Sequence, residues 1–152
     1  MSLLTIFATA TAMHGLPPNL LEALCYEESK HNTEAISFND GKGHSYGICQ
    51  IKLSTARQMG FKGPIYKLLE PQTNIFYAAK YLSRQMTRYN GNIQKATSAY
   101  NRGSAVGETK YSKRVLKKQK ELHEAQVKYN GAWNIRNLCT NLIYNRKLSP
   151  SL

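Results

Sequence analysis

Carboxylates are scarce in this chain of 152 residues: nine Asp and Glu stand against twenty-one Lys and Arg. Asp40 is the only aspartate. That shortage weighs against chemistry that needs paired acids. Cysteine is also sparse, and Cys25, Cys49 and Cys139 fall in no metal-ligand spacing. His14, His31, His44 and His123 show no paired spacing either. No metal site and no cofactor are therefore expected. Buried free thiols are the expectation for the cysteines; a Cys25–Cys49 disulfide stays open, because connectivity does not follow from sequence. No apolar run is long enough to span a bilayer. Residues 1–13 are apolar and carry an Ala-x-Ala at Ala10–Ala12, but no Lys or Arg precedes Lys30. A first helix is thus favoured over a cleaved signal peptide.

What is present is positive charge, a formal +12, together with ten tyrosines. The charge implies an anionic partner such as nucleic acid, acidic lipid or an acidic polymer. Tyrosine joins a flat apolar face to a polar tip, which suits sugar rings as well as interfaces. The Lys113, Arg114, Lys117, Lys118 and Lys120 cluster reads as a solvated helix face. No nucleic-acid fold motif accompanies it, so nucleic acid is not the expected partner. A hydrophobic fraction of 41% supports one modest core, hence one domain with at most an appendage.

The spacing predicts a helix over 3–13, closed by Gly15 and Pro17-Pro18, then a second over 19–29 with Asn19 as N-cap. Polar residues 31–45 contain Asn39-Asp40-Gly41, a turn signal. A short helix runs from Ser54 or Thr55 to Met59. An amphipathic helix spans 72–89 with Ile75, Ala78, Ala79, Leu82 and Met86 inward. Another covers 93–100. Beyond Gly107 the chain turns basic, with a helix over 110–128, an interruption at Asn130-Gly131 and a last helix over 133–146.

Glu28 is the most informative residue. At about 100° per residue, Leu20, Leu24 and Glu28 share one apolar stripe, completed by Leu21 and Cys25. Glu22 points away and Glu27 lies at the edge. A carboxyl at the buried end of such a stripe is expected to hold its proton nearer neutral pH, as a general acid must. A structural ion pair with a Lys or Arg is the competing reading.

Further residues follow in order: Ser29; Ala35 and Ser37; Tyr46-Gly47-Ile48-Cys49-Gln50-Ile51; Thr55-Ala56; Glu70-Pro71-Gln72-Thr73-Asn74-Ile75; Ala99-Tyr100-Asn101-Arg102-Gly103. Over residues 12–106 this resembles the soluble-type lytic transglycosylases of the lysozyme-like group. The resemblance implies a mainly α, lysozyme-like fold with at most a small β-hairpin near 37–51. It implies a catalytic domain over 1–106, followed by a basic helical extension over 107–152.

The resemblance also implies a mechanism. Glu28 protonates the oxygen linking N-acetylmuramic acid to N-acetylglucosamine, and then takes a proton from the muramyl 6-hydroxyl as a 1,6-anhydro ring closes. Tyr100 matches the family tyrosine whose hydroxyl reaches the catalytic carboxyl. Ser37 matches the serine at the substrate acetamido group, and Gln50 the glutamine on the cleft floor. Asn101 either fixes the helix end or touches sugar.

The chain departs from the family at Ile48-Cys49, where Leu-Met is usual, at Thr33, where proline is frequent, and in a longer 37–50 loop. That loop carries Asp40. A lysozyme-type hydrolysis with Asp40 positioning water is the alternative, and a non-catalytic wall-binding module a more distant one. The expected partners are peptidoglycan glycan strands and, through the basic surface, the anionic cell wall. The expected setting is the bacterial cell wall in the periplasm, with delivery by a bacteriophage and a monomeric state.

Overall fold

A computed structural model describes residues 1–38, 43–105 and 107–147, with backbone alone for 134–147. Asp40 and the side chain of Cys139 lie outside the described residues. Chain contacts divide the molecule into one unit over Met1–Gln119 and a second over Lys120–Leu152. The expected change of domain was at 107; the first unit reaches well beyond it and takes in the start of the basic segment.

The first unit opens with α1 (Leu3–Met13). Ser2 caps it, its hydroxyl accepting from the Thr5 N–H at 3.2 Å. Helix α2 (Leu20–Ser29) buries Leu20, Leu21, Ala23, Leu24 and Cys25. Asn19 precedes it in the left-handed region at φ 62° and makes no capping bond through its side chain. A capping side chain needs an extended backbone; here Asn19 instead turns the chain after Pro17-Pro18, a conformation asparagine tolerates.

Three two-residue strands follow: β1 (Ile36–Ser37), β2 (Ser45–Tyr46) and β3 (Ile51–Lys52). They form an antiparallel sheet in the order β1-β2-β3, with Ser37 opposite Ser45 and Tyr46 opposite Ile51. The sheet thus holds one strand more than a hairpin. Helix α3 (Leu53–Gln58) and a single 3-10 turn (Ile65–Leu69) lead to α4.

Helix α4 (Pro71–Arg88) is the central packing element. Pro71 opens it, at a position where a missing N–H costs nothing. Ile75, Ala78, Ala79 and Leu82 are fully buried at helical spacing. Asn74 occupies the same buried face, and its partners show why a polar group is tolerated there. Helix α5 (Ile93–Arg102) is capped by the Asn92 side chain and ends at Gly103, whose φ of 82° suits a residue without Cβ.

Helix α6 spans Lys110–Lys147 without interruption. The break expected at Asn130-Gly131 does not occur. A glycine inside a solvated helix costs about 1 kcal/mol, and nothing crowds the position. The helix starts where it does because Thr109 and Ser112 exchange bonds. The Ser112 N–H donates to Thr109 Oγ1 at 3.0 Å and the Thr109 N–H to Ser112 Oγ at 2.9 Å. In this first stretch Tyr111, Ser112 and Val115 are buried.

Candidate active site

Glu28 sits in the last turn of α2, half-buried, in the wall of a cleft of about 170 Å³. Ser45, Gln50, Lys52, Tyr81, Tyr100 and Asn101 share that wall. Among the described residues that line the cleft, Glu28 is the only carboxylate.

The hydroxyl of Tyr111 donates to Glu28 Oε1 at 2.5 Å. Burial, then the charge of Glu28 and this hydrogen bond, push the Tyr111 phenol well above its ordinary value. Tyr111 is therefore a neutral donor at any working pH, and it fixes the orientation of the carboxyl. The sequence reading missed it. Only a weak signal marked it: Tyr111 and Val115 stand four apart at the apolar start of an otherwise basic helix.

Tyr100 is close by but differently employed. Its hydroxyl donates to the Cys49 carbonyl at 2.9 Å. Burial first, and then the nearby Glu28 charge, raise its pKa well above the usual value. The expectation gave Tyr100 the contact to the catalytic carboxyl. In the structure Tyr111 makes the bond just described, while Tyr100 holds the cleft floor. Tyr81 leans on it with ring centroids 5.2 Å apart.

The floor is the turn from Gly47 to Gln50, and its polar groups are bound from several sides. Asn74 Oδ1 accepts from the Cys49 N–H at 2.9 Å, and Nδ2 donates to the carbonyls of Tyr46 at 2.7 Å and Leu68 at 2.6 Å. Ser29 Oγ donates to the Ile48 carbonyl at 2.7 Å. Gly47 has φ 69°, and a Cβ there would meet the Leu68 carbonyl oxygen at 2.6 Å and the Asn74 amide. Glycine is needed on both counts.

Cys25 and Cys49 are joined by a disulfide. The expectation of free thiols is corrected here. The two residues were placed correctly as buried, but only the packing of the turn onto α2 brings them together. A crosslink closing a loop of this length contributes about 3 kcal/mol in the chain-entropy account.

Gln50 holds a left-handed backbone at φ 48°. Its Nε2 donates to Ala35 O at 3.0 Å and Gly47 O at 2.9 Å, and its Oε1 accepts from Ser37 Oγ at 2.6 Å. Both amide protons are thus committed to protein, which leaves one acceptor lone pair for a ligand. Ser37 is exposed and reaches the cleft through Gln50. Asn101 is exposed in the last turn of α5 and lines the cleft. Gly103, two residues on, is the cap of the helix.

Glu27, the other candidate acid, is engaged elsewhere. Arg114 Nε lies 2.9 Å from its Oε2, and Lys30 Nζ 3.2 Å from its Oε1. Burial pushes the Glu27 carboxyl up, but these two cations outweigh it and hold it below the ordinary value. The ion-pair reading, weighed above for Glu28, describes Glu27.

A family model, the transglycosylase SLT domain, matches residues 5–126. Protein IpgF of Shigella flexneri is 33% identical over 95 residues, which cover 60% of this chain and 61% of that protein. X polypeptide of Escherichia coli is 27% identical over 111 residues, 72% of this chain and 65% of its own length. The chain thus spans less than two thirds of the length of these curated relatives. Among solved structures, an inactive mutant of lytic transglycosylase Slt from Pseudomonas aeruginosa superposes with a TM-score of 0.60 at 27% identity. That match covers 65% of this chain and 16% of the other. The mainly helical architecture with its small sheet is the lysozyme-like fold expected from the sequence.

Proposed function

The chain belongs to the transglycosylase SLT domain family, and from that premise we propose that it is a peptidoglycan lytic transglycosylase with Glu28 as its single acid and base. The observation that carries this reading is the Tyr111–Glu28 hydrogen bond in a cleft whose described lining holds no second carboxylate.

Glycoside hydrolysis ordinarily needs two carboxyl groups. A transglycosylase needs one, because the substrate supplies its own nucleophile. The Glu28 proton goes to the bridging oxygen between N-acetylmuramic acid and N-acetylglucosamine, and the bond from that oxygen to the anomeric carbon breaks. The muramyl acetamido group assists at that carbon. The 6-hydroxyl of the same sugar then bonds to it, and its proton returns to Glu28. No water is consumed. An intramolecular nucleophile has an effective molarity of up to about 10⁵–10⁸ M.

The roles of the other residues follow from their bonds. Tyr111 orients the Glu28 carboxyl. Gln50 and Ser37 hold the floor beneath the acetamido position, and Tyr100 fixes the carbonyl of Cys49 beside them. Asn101 offers an amide to the sugar. A disulfide at the floor suits an oxidising compartment such as the periplasm. The excess of cations suits a surface as anionic as the cell wall.

Mass spectrometry of digested sacculi tests the reading. Anhydromuramyl ends are the expected product, and Glu28→Gln should lower their release by about 10²–10⁴-fold. Reducing ends from the wild type would instead indicate the lysozyme-type reaction, with Asp40 the residue to replace.

A further inference from the structure

Arg102 occupies the last turn of α5 and lines the cleft beside Asn101 and Gly103, in the same wall system as Glu28. Several other cations of the molecule are engaged with acids. Lys30 and Arg114 hold Glu27, Lys67 holds Glu70, and Lys113 holds Glu108. The Arg102 guanidinium makes no hydrogen bond, ion pair or ring contact with any described residue. A cation near a helix C-terminus is favoured by the exposed carbonyls. That accounts for an arginine at this point in the chain, but not for its place among the residues that line the cleft.

The surroundings reinforce the charge. Arg88 donates to the Gly103 carbonyl at 3.4 Å, so a second guanidinium adjoins the same corner. Tyr81, also in the cleft wall, has Arg88 and Arg84 near its hydroxyl. Lys52 lines the cleft from β3. The one lining carboxylate, Glu28, is bound to Tyr111. This end of the cleft is therefore rich in cations and carries a solvent-exposed planar donor set. A guanidinium in that state is matched by a carboxylate, which accepts two parallel N–H bonds, far better than by a sugar hydroxyl.

We infer that Arg102 is a specificity residue that binds a carboxylate carried by the glycan strand next to the scissile bond. The inference rests on the glycan-cleavage reading above. Muramic acid bears an ether-linked lactyl acid. In peptide-free strands that acid is a free carboxylate; in peptide-bearing strands it is an amide, and the stem peptide brings carboxylates of its own. Either source presents the same group to Arg102.

The test compares wild type, Arg102→Ala and Arg102→Lys on three substrates: peptide-bearing strands, peptide-free strands, and peptide-free strands whose lactyl acids have been converted to amides. Arg102→Ala should raise KM on the order of tenfold wherever the recognised carboxylate is present, with kcat little changed. On the amidated strands wild type and Arg102→Ala should be alike. Arg102→Lys should recover part of the loss. A loss confined to peptide-free strands identifies the lactyl acid, and one confined to peptide-bearing strands identifies the stem.

Equal KM for wild type and Arg102→Ala on all three substrates overturns the inference, as does an equal loss on the amidated strands. Calorimetric binding of the peptide-free and amidated strands separates this from failure of the enzymatic reading. If the wild type cleaves nothing, the cleavage reading fails, while a carboxylate-dependent Kd that Arg102→Ala weakens about tenfold still upholds the role of Arg102. A Kd indifferent to either change sinks it.

Discussion

The turn at 47–50 and the end of α5 at 101–103 border the same cleft, yet they treat their polar groups in opposite ways. In the turn, Asn74, Tyr100, Ser29 and Ser37 all bind its backbone or the Gln50 amide, and a disulfide ties it to α2. At the end of α5, Asn101 and Arg102 are exposed, and the Arg102 guanidinium has no described partner. The difference separates two tasks. A buried floor must satisfy its own hydrogen bonds, because an orphaned group there costs about 1–3 kcal/mol. A rim exposed to water can leave its groups for a ligand. Rigidity and recognition thus fall on different residues.

The comparison breaks most severely at Asn74. Asn74→Ala leaves the Cys49 N–H and the Tyr46 and Leu68 carbonyls without the bonds they now make. Stability should fall by about 3 kcal/mol or more, read by denaturant unfolding, and activity should fall with it. Replacing the rim residue Asn101 by Ala should leave the same unfolding curve within about 0.5 kcal/mol.

Tyr111→Phe sharpens the contrast, because it removes one hydroxyl from the acid and none from the floor. A hydrogen bond to a charged group contributes about 1.5–3 kcal/mol, so kcat should drop by about ten- to a hundredfold. The unfolding midpoint should move much less than in Asn74→Ala. A variant that unfolds as readily as Asn74→Ala would make Tyr111 a packing residue rather than a holder of the carboxyl.

The smallest effect belongs to Glu27. Its folded-state carboxyl titrates below the ordinary value of 4.5, so it stabilises the fold at neutral pH and loses that contribution as pH falls through and below 4.5. Its partners Lys30 and Arg114 are more than half exposed, with side-chain exposures of 58% and 57%. The contribution is accordingly about 1 kcal/mol or less. Thermal melts of wild type and Glu27→Gln should differ slightly at neutral pH and converge in acid.

Helix positions were readable in the residues for a simple reason. Apolar spacing in α2 and α4, Pro71 at a helix start and Gly103 at a helix end act over a few residues, and those local rules decide where a helix begins and stops. Glu28 was singled out in the same way, from its place on an apolar stripe, and it lines the cleft. The Asn130-Gly131 pair misled because a solvated helix absorbs the modest cost of a glycine. Asn19 misled because the same residue type serves as a cap or as a left-handed turn, and the adjoining prolines chose the turn.

Residue spacing within a helix, together with the order of short motifs, determined by itself the helical architecture, the place of Glu28 at the end of α2 and the glycines at 47 and 103. Only the tertiary structure decided that the Tyr111 phenol reaches Glu28, that Asn74 clamps the floor, that Cys25 meets Cys49 and that Arg102 lines the cleft with no partner among the described residues. Periodicity is a property of neighbouring residues. A bond between positions 28 and 111 exists only once α6 lies on α2, and no local pattern records which distant face will arrive there.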